Sequence, residues 1–162
     1  MNKGLSEKFK LEFPDVNPIT RPIIELPEII DPNWIAGFTD VEGCFYAEVN
    51  NSNSTLTGKA VGLGFQIGLH KRDSSILIKL QEQLGCGKIR KDERVCIFTV
   101  KKLKDLLTII IPLLNQNKLH GSKILNFLDF CKIAFILENK EHLTNEGLEK
   151  INKIKNGMNT KR

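Results

Sequence analysis

Two acidic residues stand at the C-terminal end of a short helical pattern, where carboxylates need a positive neighbour. Asp40 and Glu42 lie in the segment 35–43, which reads Ile-Ala-Gly-Phe-Thr-Asp-Val-Glu-Gly. The C-terminal end of a helix already carries partial negative charge, so acids there are electrostatically disfavoured. The segment therefore indicates either a solvated acidic helix end or a divalent-cation site, because Mg²⁺ prefers carboxylate oxygens.

The same segment has two small residues on its helix. Ala36 and Gly37 would let a second helix approach closely, as small residues do in other tight helix pairs. Two copies of the helix would then bring Glu42 from each chain together. Paired carboxylates on Mg²⁺ at a scissile phosphate can activate water and stabilise the leaving oxygen, whereas one alone would not suffice. The residues predict a site shared between two helices.

Residues 35–43 resemble the LAGLIDADG motif. Ala36 and Gly37 match outright, Ile35, Phe38 and Thr39 are tolerated variants, and Asp40 is the first acid. The resemblance covers nearly the whole chain, and the segments 62–67, 84–89 and 138–148 are similar to those of fungal organellar members. It implies a homing endonuclease that makes a staggered cut in double-stranded DNA with Mg²⁺, for which Ca²⁺ or Mn²⁺ substitutes. The partner would be a second copy, as a homodimer, or a sister half.

The resemblance also assigns roles near the motif. It implies a catalytic carboxylate at Glu42, metal binding by Glu42 and the Val41 carbonyl, and a basic residue near the cleaved phosphate, for which His120, Lys123 or Lys118 is suited by position. Val41 departs from the family, which usually has Ala or Gly there, and its β-branched bulk would crowd the helix pair. The implied dimer interface consists of Ile35, Ala36, Gly37, Phe38 and Asp40.

The patterns around the motif predict the elements that position it. Helical spacing begins at Asn33, returns at 74–84, 101–112, 121–138 and 144–156, and two hairpins of alternating residues lie between the first three helices. The order predicts an α+β fold of the αββαββα type, a four-stranded antiparallel sheet with helices on one face. The prolines of residues 14–32 predict an extended arm. We expect an arm at 1–32, a domain at 33–156 and a tail at 157–162.

The resemblance places the uncovered sheet face in the DNA major groove, which admits β-ribbons and shows a distinct pattern for each base pair. Gln66 would suit adenine, and Arg90 or Arg94 guanine. Lys59, at the end of a hairpin loop, would contact phosphate. The residues predicted to contact bases are Tyr46, Glu48, Asn50, Gln66, His70, Lys88, Arg90, Arg94 and Cys96.

Composition agrees with a polyanionic partner. The net charge is +5 and the isoelectric point about 9.0, which favours nucleic acid without requiring it. Four scattered cysteines form no CxxC pair, so neither a zinc site nor a disulfide framework is indicated. The apolar runs are too short to cross a bilayer, and no membrane association is expected. Abundant Lys, Asn and Ile suggest an A·T-rich gene and mitochondrial localisation.

Two other functions fit the same scaffold. One is a module without chemistry, either an intron RNA maturase or a DNA-binding repressor, although maturases tend to keep a degraded motif and both acids remain here. The other is a half that dimerises but has no target of its own, because its natural partner was another repeat. The proline-rich arm is similar to the linker that precedes the second repeat in two-motif members.

Overall fold

The structure is a computed structural model that describes residues 5–16 and 25–160. No helix within these ranges is both long and apolar enough to cross a membrane. Short 3₁₀ turns at Lys71–Asp73 and Glu141–Leu143 join neighbouring elements. In chain order the elements are α1 (Glu7–Glu12), α2 (Pro32–Glu42), β1 (Gly43–Asn51), β2 (Lys59–His70), α3 (Ser74–Leu84), β3 (Lys88–Lys91), β4 (Val95–Val100), α4 (Leu103–Asp105), a π-helical turn (Leu106–Ile110), α5 (Ile111–Gln116), α6 (Lys123–Glu138) and α7 (Asn145–Gly157).

The four strands form one antiparallel sheet in the order β1-β2-β4-β3. Tyr46 lies opposite Gly64 in the first hairpin, Gln66 lies opposite Thr99 across the centre, and Arg90 lies opposite Ile97 in the second hairpin. The predicted α+β class and αββαββα order are confirmed. Directly opposed residues share a face, so the register fixes which side chains point away from the helices.

Helices α3, α6 and α7 pack on one face of the sheet, and the core lies between that face and the helices. Phe45 is at its centre, with ring centroids 5.3 Å from Phe65, 5.4 Å from Phe127 and 5.2 Å from Phe130. Cys96 is 0% exposed on this same face, which corrects its predicted role in base contact. In β4 it alternates in phase with Phe98, whose large apolar ring requires the core side.

Helix α2 begins and ends as its residue types predict. Asp31 caps it by accepting a hydrogen bond from the Asn33 N–H at 2.7 Å, and Pro32 occupies the first turn. Gly43 passes directly from the helix into β1. A Cβ at Gly43 would lie 2.6 Å from the Thr39 carbonyl oxygen, so this sharp exit needs a glycine. The turn sets the motif's acidic end against the first residues of the sheet.

The helix predicted to end at Pro112 is longer in the structure. Helices α4 and α5 and the π-helical turn between them follow one another without a break and reach Gln116. Pro112 has no N–H to donate to the preceding turn, and proline inside a regular helix costs about 3 kcal/mol. Here it stands in the first turn of α5, after the wider π turn, and this placement removes most of that conflict.

One part of the N-terminal arm is helical, and hydrogen bonds attach another part to the domain. Helix α1 lies in the region predicted to be extended, and Ser6 caps it by accepting from the Phe9 N–H at 3.2 Å. Ile30 is buried, and the Gln83 side-chain amide holds both its N–H, at 2.7 Å, and its C=O, at 2.8 Å. Residues 17–24 of the predicted arm lie outside the described residues. The arm therefore joins the domain immediately before α2.

Candidate active centre and nucleic-acid interface

The outward face of α2 differs from the predicted interface. Ile35 and Ala36 are each 2% exposed and belong to the chain's own core, so their assignment to a dimer interface is corrected. With 3.6 residues per turn, the outward side instead presents Trp34, Gly37 and Val41, the last 74% exposed. Phe38 is half-buried and stacks on Trp34 with ring centroids 4.7 Å apart.

Asp40 is engaged inside the chain. Its Oδ2 accepts hydrogen bonds from the backbone N–H groups of His120, at 2.6 Å, and Gly121, at 2.7 Å. The carboxylate faces its own loop before α6, so it differs from the predicted contact with a partner helix. The His120 side chain is exposed at this loop.

Lys123 is the first residue of α6, and in space it lies beside the C-terminal end of α2, where a basic residue was predicted. Its Nζ donates to the Val41 carbonyl oxygen at 3.0 Å. Burial raises the pKa of the neighbouring Cys44 thiol, and the positive charge of Lys123 acts in the opposite direction on that pKa. Lys123 thus supplies the positive neighbour that the acidic end of α2 needs, because α2 has no basic residue in its own last turn.

Glu42 is exposed and has neither a hydrogen bond nor an ion pair within the described ranges. A free carboxylate beside a carbonyl oxygen is suited to a divalent cation. In residues 5–16 and 25–160 no three His, Cys, Asp or Glu side chains converge on one point. One chain therefore offers half of a carboxylate ligand set, and the residues fit Mg²⁺ as a contribution to a shared site.

The other sheet face is open and forms a shallow hollow of about 470 Å³. The Tyr46 ring lies across Gly64, where an added Cβ would collide with the ring atoms. The Lys101 Nζ is 5.8 Å from the centroid of the same ring, within range of a cation–π contact. The hollow is lined by Cys44, Tyr46, Ala47, Glu48, Gln66, Arg90, Ile97, Thr99 and Lys101.

Most residues predicted to contact bases lie on this open face. Arg94 is instead exposed in the turn before β4, where its carbonyl accepts from the Lys71 N–H at 2.8 Å. Lys59 begins β2, at the hairpin end, and its Nζ donates to the Asn51 Oδ1 at 2.6 Å. By register the open face carries Tyr46, Glu48 and Asn50 of β1, Gln66 and His70 of β2, and Lys88 and Arg90 of β3.

The predicted set omits several residues of the open face, among them Cys44, Ile97, Thr99 and Lys101. Ile97 and Thr99 belong to this face because they lie opposite Arg90 and Lys88, and Lys101 follows directly after β4. For β4 the omission has one cause. Choosing the wrong side of the strand added Cys96 to the predicted base contacts and left out Ile97 and Thr99. Phe98 was the available signal, because a large ring alternating with Cys96 identifies the core side of the strand.

The comparisons agree with this fold. The sequence profile of the LAGLIDADG endonuclease family matches residues 35–134. Probable intron-encoded endonuclease 3 of Neurospora crassa is 36% identical over 154 residues, 93% of this chain and 29% of that protein. The solved structure of I-SmaMI bound to an uncleaved DNA target with calcium is 43% identical, with a TM-score of 0.90 over 98% of this chain and 55% of that chain. DNA endonuclease I-CvuI of Chlorella vulgaris is 25% identical over 99 residues, 59% of this chain and 62% of that protein.

An α+β scaffold whose four-stranded antiparallel sheet has helices on one face and the other face open is the architecture of solved LAGLIDADG endonucleases. The chain belongs to the LAGLIDADG endonuclease family. It spans about a third of the length of the Neurospora crassa relative and about half of the I-SmaMI chain.

Proposed function

We propose that the chain is a metal-dependent, site-specific endonuclease subunit that acts on double-stranded DNA as a homodimer and makes a staggered cut. The observation that carries the proposal is the free Glu42 carboxylate at the exposed end of α2, the same helix end at which the Lys123 Nζ donates to the Val41 carbonyl oxygen. Pairing through the outward face of α2 would bring two copies of Glu42 to one phosphodiester neighbourhood. A sister LAGLIDADG half is the other partner that this surface fits.

Glu42 would hold the cation, for which Mg²⁺ is proposed and Ca²⁺ or Mn²⁺ would substitute, and the Val41 carbonyl oxygen would join it only if the Lys123 Nζ gives up its 3.0 Å hydrogen bond to that oxygen. When bound, the metal activates water and stabilises the leaving oxygen. Lys123 contributes positive charge beside the cleaved phosphate, where negative charge grows in the transition state. His120, exposed on the adjacent loop, is the second proposed basic residue.

The open sheet face is the proposed DNA surface. Lys88, Arg90 and Lys101 give it positive charge, and Gln66 supplies an amide that pairs well with adenine. The glycines of β2 keep the centre of the face low, so base edges can approach the backbone of the sheet. The solved complex of I-SmaMI with its DNA target supports this use of the scaffold. We propose mitochondrial localisation because the abundance of Lys, Asn and Ile suggests an A·T-rich gene.

The proposed function is tested by selecting cleaved sites from a randomised inverted-repeat DNA library with Mg²⁺, and bound sites with Ca²⁺. We expect one near-palindromic family of sites in both selections. Glu42→Gln is expected to reduce cleavage at least about 100-fold while the Kd measured in Ca²⁺ stays within about threefold, since the carboxylate acts on the reaction more than on binding. Equal cleavage by the variant would contradict the proposal.

Glu138→Gln is the matched control, because this exposed glutamate ends α6 and lies outside the proposed site. We expect it to cut at the wild-type rate. Tight binding to structured intron RNA, with no metal-dependent nicking of any DNA, would favour a maturase instead.

A further inference from the structure

The loop before α6 is attached to the motif helix by one carboxylate. The Asp40 Oδ2 accepts from the N–H groups of His120 and Gly121, which are 80 and 81 positions away in sequence. Hydrogen bonds to an ionised acceptor are about twice as strong as neutral ones. On its inner side the loop is anchored by Leu119, which is buried in the core. The loop is therefore fixed from two directions.

Gly121 is part of this attachment because no side chain fits there. An added Cβ would lie 2.9 Å from the Asp40 Oδ1 and 3.3 Å from its Cγ. Any larger residue would have to displace the carboxylate or the loop. The close approach of Asp40 to the two amides thus depends on a glycine at this position, which gives a second and independent way to disturb the contact.

The loop leads directly into Lys123, the first residue of α6. Lys123 makes its own bond to the Val41 carbonyl oxygen, at 3.0 Å. Two ties therefore join the same two segments, residues 40 and 41 on one side and residues 120–123 on the other. Loosening the Asp40 tie would free the start of α6 and let the Lys123 ammonium move away from the end of α2.

We propose that Asp40 is a positioning residue, which sets the place of the Lys123 ammonium at the active centre by holding the loop before α6. It acts through Lys123 and does not contact DNA or metal, because its Oδ2 is taken by two backbone amides and its Oδ1 is buried. The effect on cleavage rests on the proposed function, whereas the attachment itself does not. The two acids of the motif thus have separate roles: Glu42 would bind the metal, and Asp40 holds the loop before α6 in place.

The attachment is tested by NMR on the DNA-free protein. In Asp40→Ala we expect the His120 and Gly121 amides to lose protection from hydrogen exchange, and the Val41 carbonyl carbon to shift in the same direction as in Lys123→Ala. Gly121→Ala should reproduce both changes. Glu82→Ala, an exposed acid on α3, is the control and should change neither signal. Protected amides or an unmoved Val41 carbonyl in Asp40→Ala would overturn the proposal, whether or not the protein cuts DNA.

The coupling to catalysis is tested by single-turnover cleavage of the selected site, with binding measured in Ca²⁺. Displacing a catalytic group by about 1 Å costs about 100-fold in rate, so Asp40→Ala should slow cleavage 10- to 100-fold while Kd changes less than about threefold. Asp40→Ala should add nothing in a Lys123→Ala background, because both changes remove one function. Multiplying losses in the double variant, or equal losses of rate and affinity, would refute the positioning role.

Discussion

At the scale of single residues, Lys123 resolves an electrostatic conflict that the motif creates. Helix α2 ends in two acids and has no basic residue in its last turn. Lys123 itself starts α6, where the helix dipole disfavours a cation, and the negative end of α2 compensates. The need for a positive group was predictable from the sequence. Its bond to the Val41 carbonyl was not, because that contact joins positions 82 apart.

Lys123→Ala is expected to reduce cleavage about 100-fold or more, since it removes a charge placed where negative charge develops. Lys118→Ala is the matched control, because Lys118 is exposed and, unlike Lys123, makes no side-chain hydrogen bond or ion pair with α2 in the described ranges. It should lose affinity at most a few-fold and keep its single-turnover rate. The same loss of rate in both variants would show that general positive charge, and not the position of Lys123, matters.

The alkylation rates of the cysteine thiols test whether DNA binds to the open face. Cys44 lines the hollow, Cys86 and Cys96 are buried, and burial raises the pKa of Cys131 to about 11. Thiolate is the reactive form, so Cys131 should alkylate slowly at pH 8 and faster as the pH rises towards 11. Cognate duplex should protect Cys44 from iodoacetamide and leave Cys131 unaffected. Peptide mass spectrometry measures both, and an unprotected Cys44 would argue against DNA on this face.

At the scale of elements, periodicity predicted all four strands of the described sheet, whereas the side of β4 chosen to face away from the core was wrong. Helix α3 occupies the predicted 74–84, and Thr144 caps α7 by accepting from the Gly147 N–H at 3.1 Å, as its residue types indicate. In β4, Val95, Ile97 and Thr99 and the alternate set Cys96, Phe98 and Val100 are both apolar enough for the core. Pairing with β2 decides between the two sets, and pairing is a property of the whole sheet.

Gln83 makes two side-chain hydrogen bonds to the described part of the arm. Gln83→Ala removes both hydrogen bonds to the Ile30 backbone, and at about 0.5–1.5 kcal/mol for each bond it should lower the free energy of unfolding by about 1–3 kcal/mol. Urea unfolding measures the change, with Glu82→Ala as the neighbouring exposed control. A loss below about 0.3 kcal/mol would mean that the buried Ile30 side chain alone holds the arm.

At the scale of the whole molecule, the described residues enclose one core, whereas the proposed site needs a second α2 helix. This core includes five phenylalanines and residues of α2, α3, α5, α6 and α7, yet the described ranges bring one free motif carboxylate to the end of α2. Sequence reasoning predicted a site shared between two motif helices, and that pairing stays a prediction. The same reasoning misassigned Ile35 and Ala36, since both the chain's core and a partner helix favour small or apolar residues.

A substitution at Gly37 should affect the stability of the monomer and the affinity of the dimer in opposite directions. An added Cβ there meets nothing within 4 Å in the same chain, and replacing glycine by alanine inside a helix stabilises by about 0.5–1 kcal/mol. Gly37→Ala should therefore raise the monomer's stability slightly and weaken the proposed dimer, because the methyl group stands where a second α2 would approach. Sedimentation velocity measures the dimer. An unchanged dimer Kd would place the interface elsewhere.

The requirement for two glutamates is tested most directly with mixed dimers. Wild-type chain and Glu42→Gln chain are mixed in varied ratios, allowed to exchange subunits, and assayed for double-strand cleavage of the selected site at saturating protein. If each cut needs Glu42 from both chains, cleavage falls with the square of the wild-type fraction, and no nicked product accumulates. A linear fall, or nicking by the mixed dimer, would show that one chain's carboxylate suffices and would contradict a shared active centre.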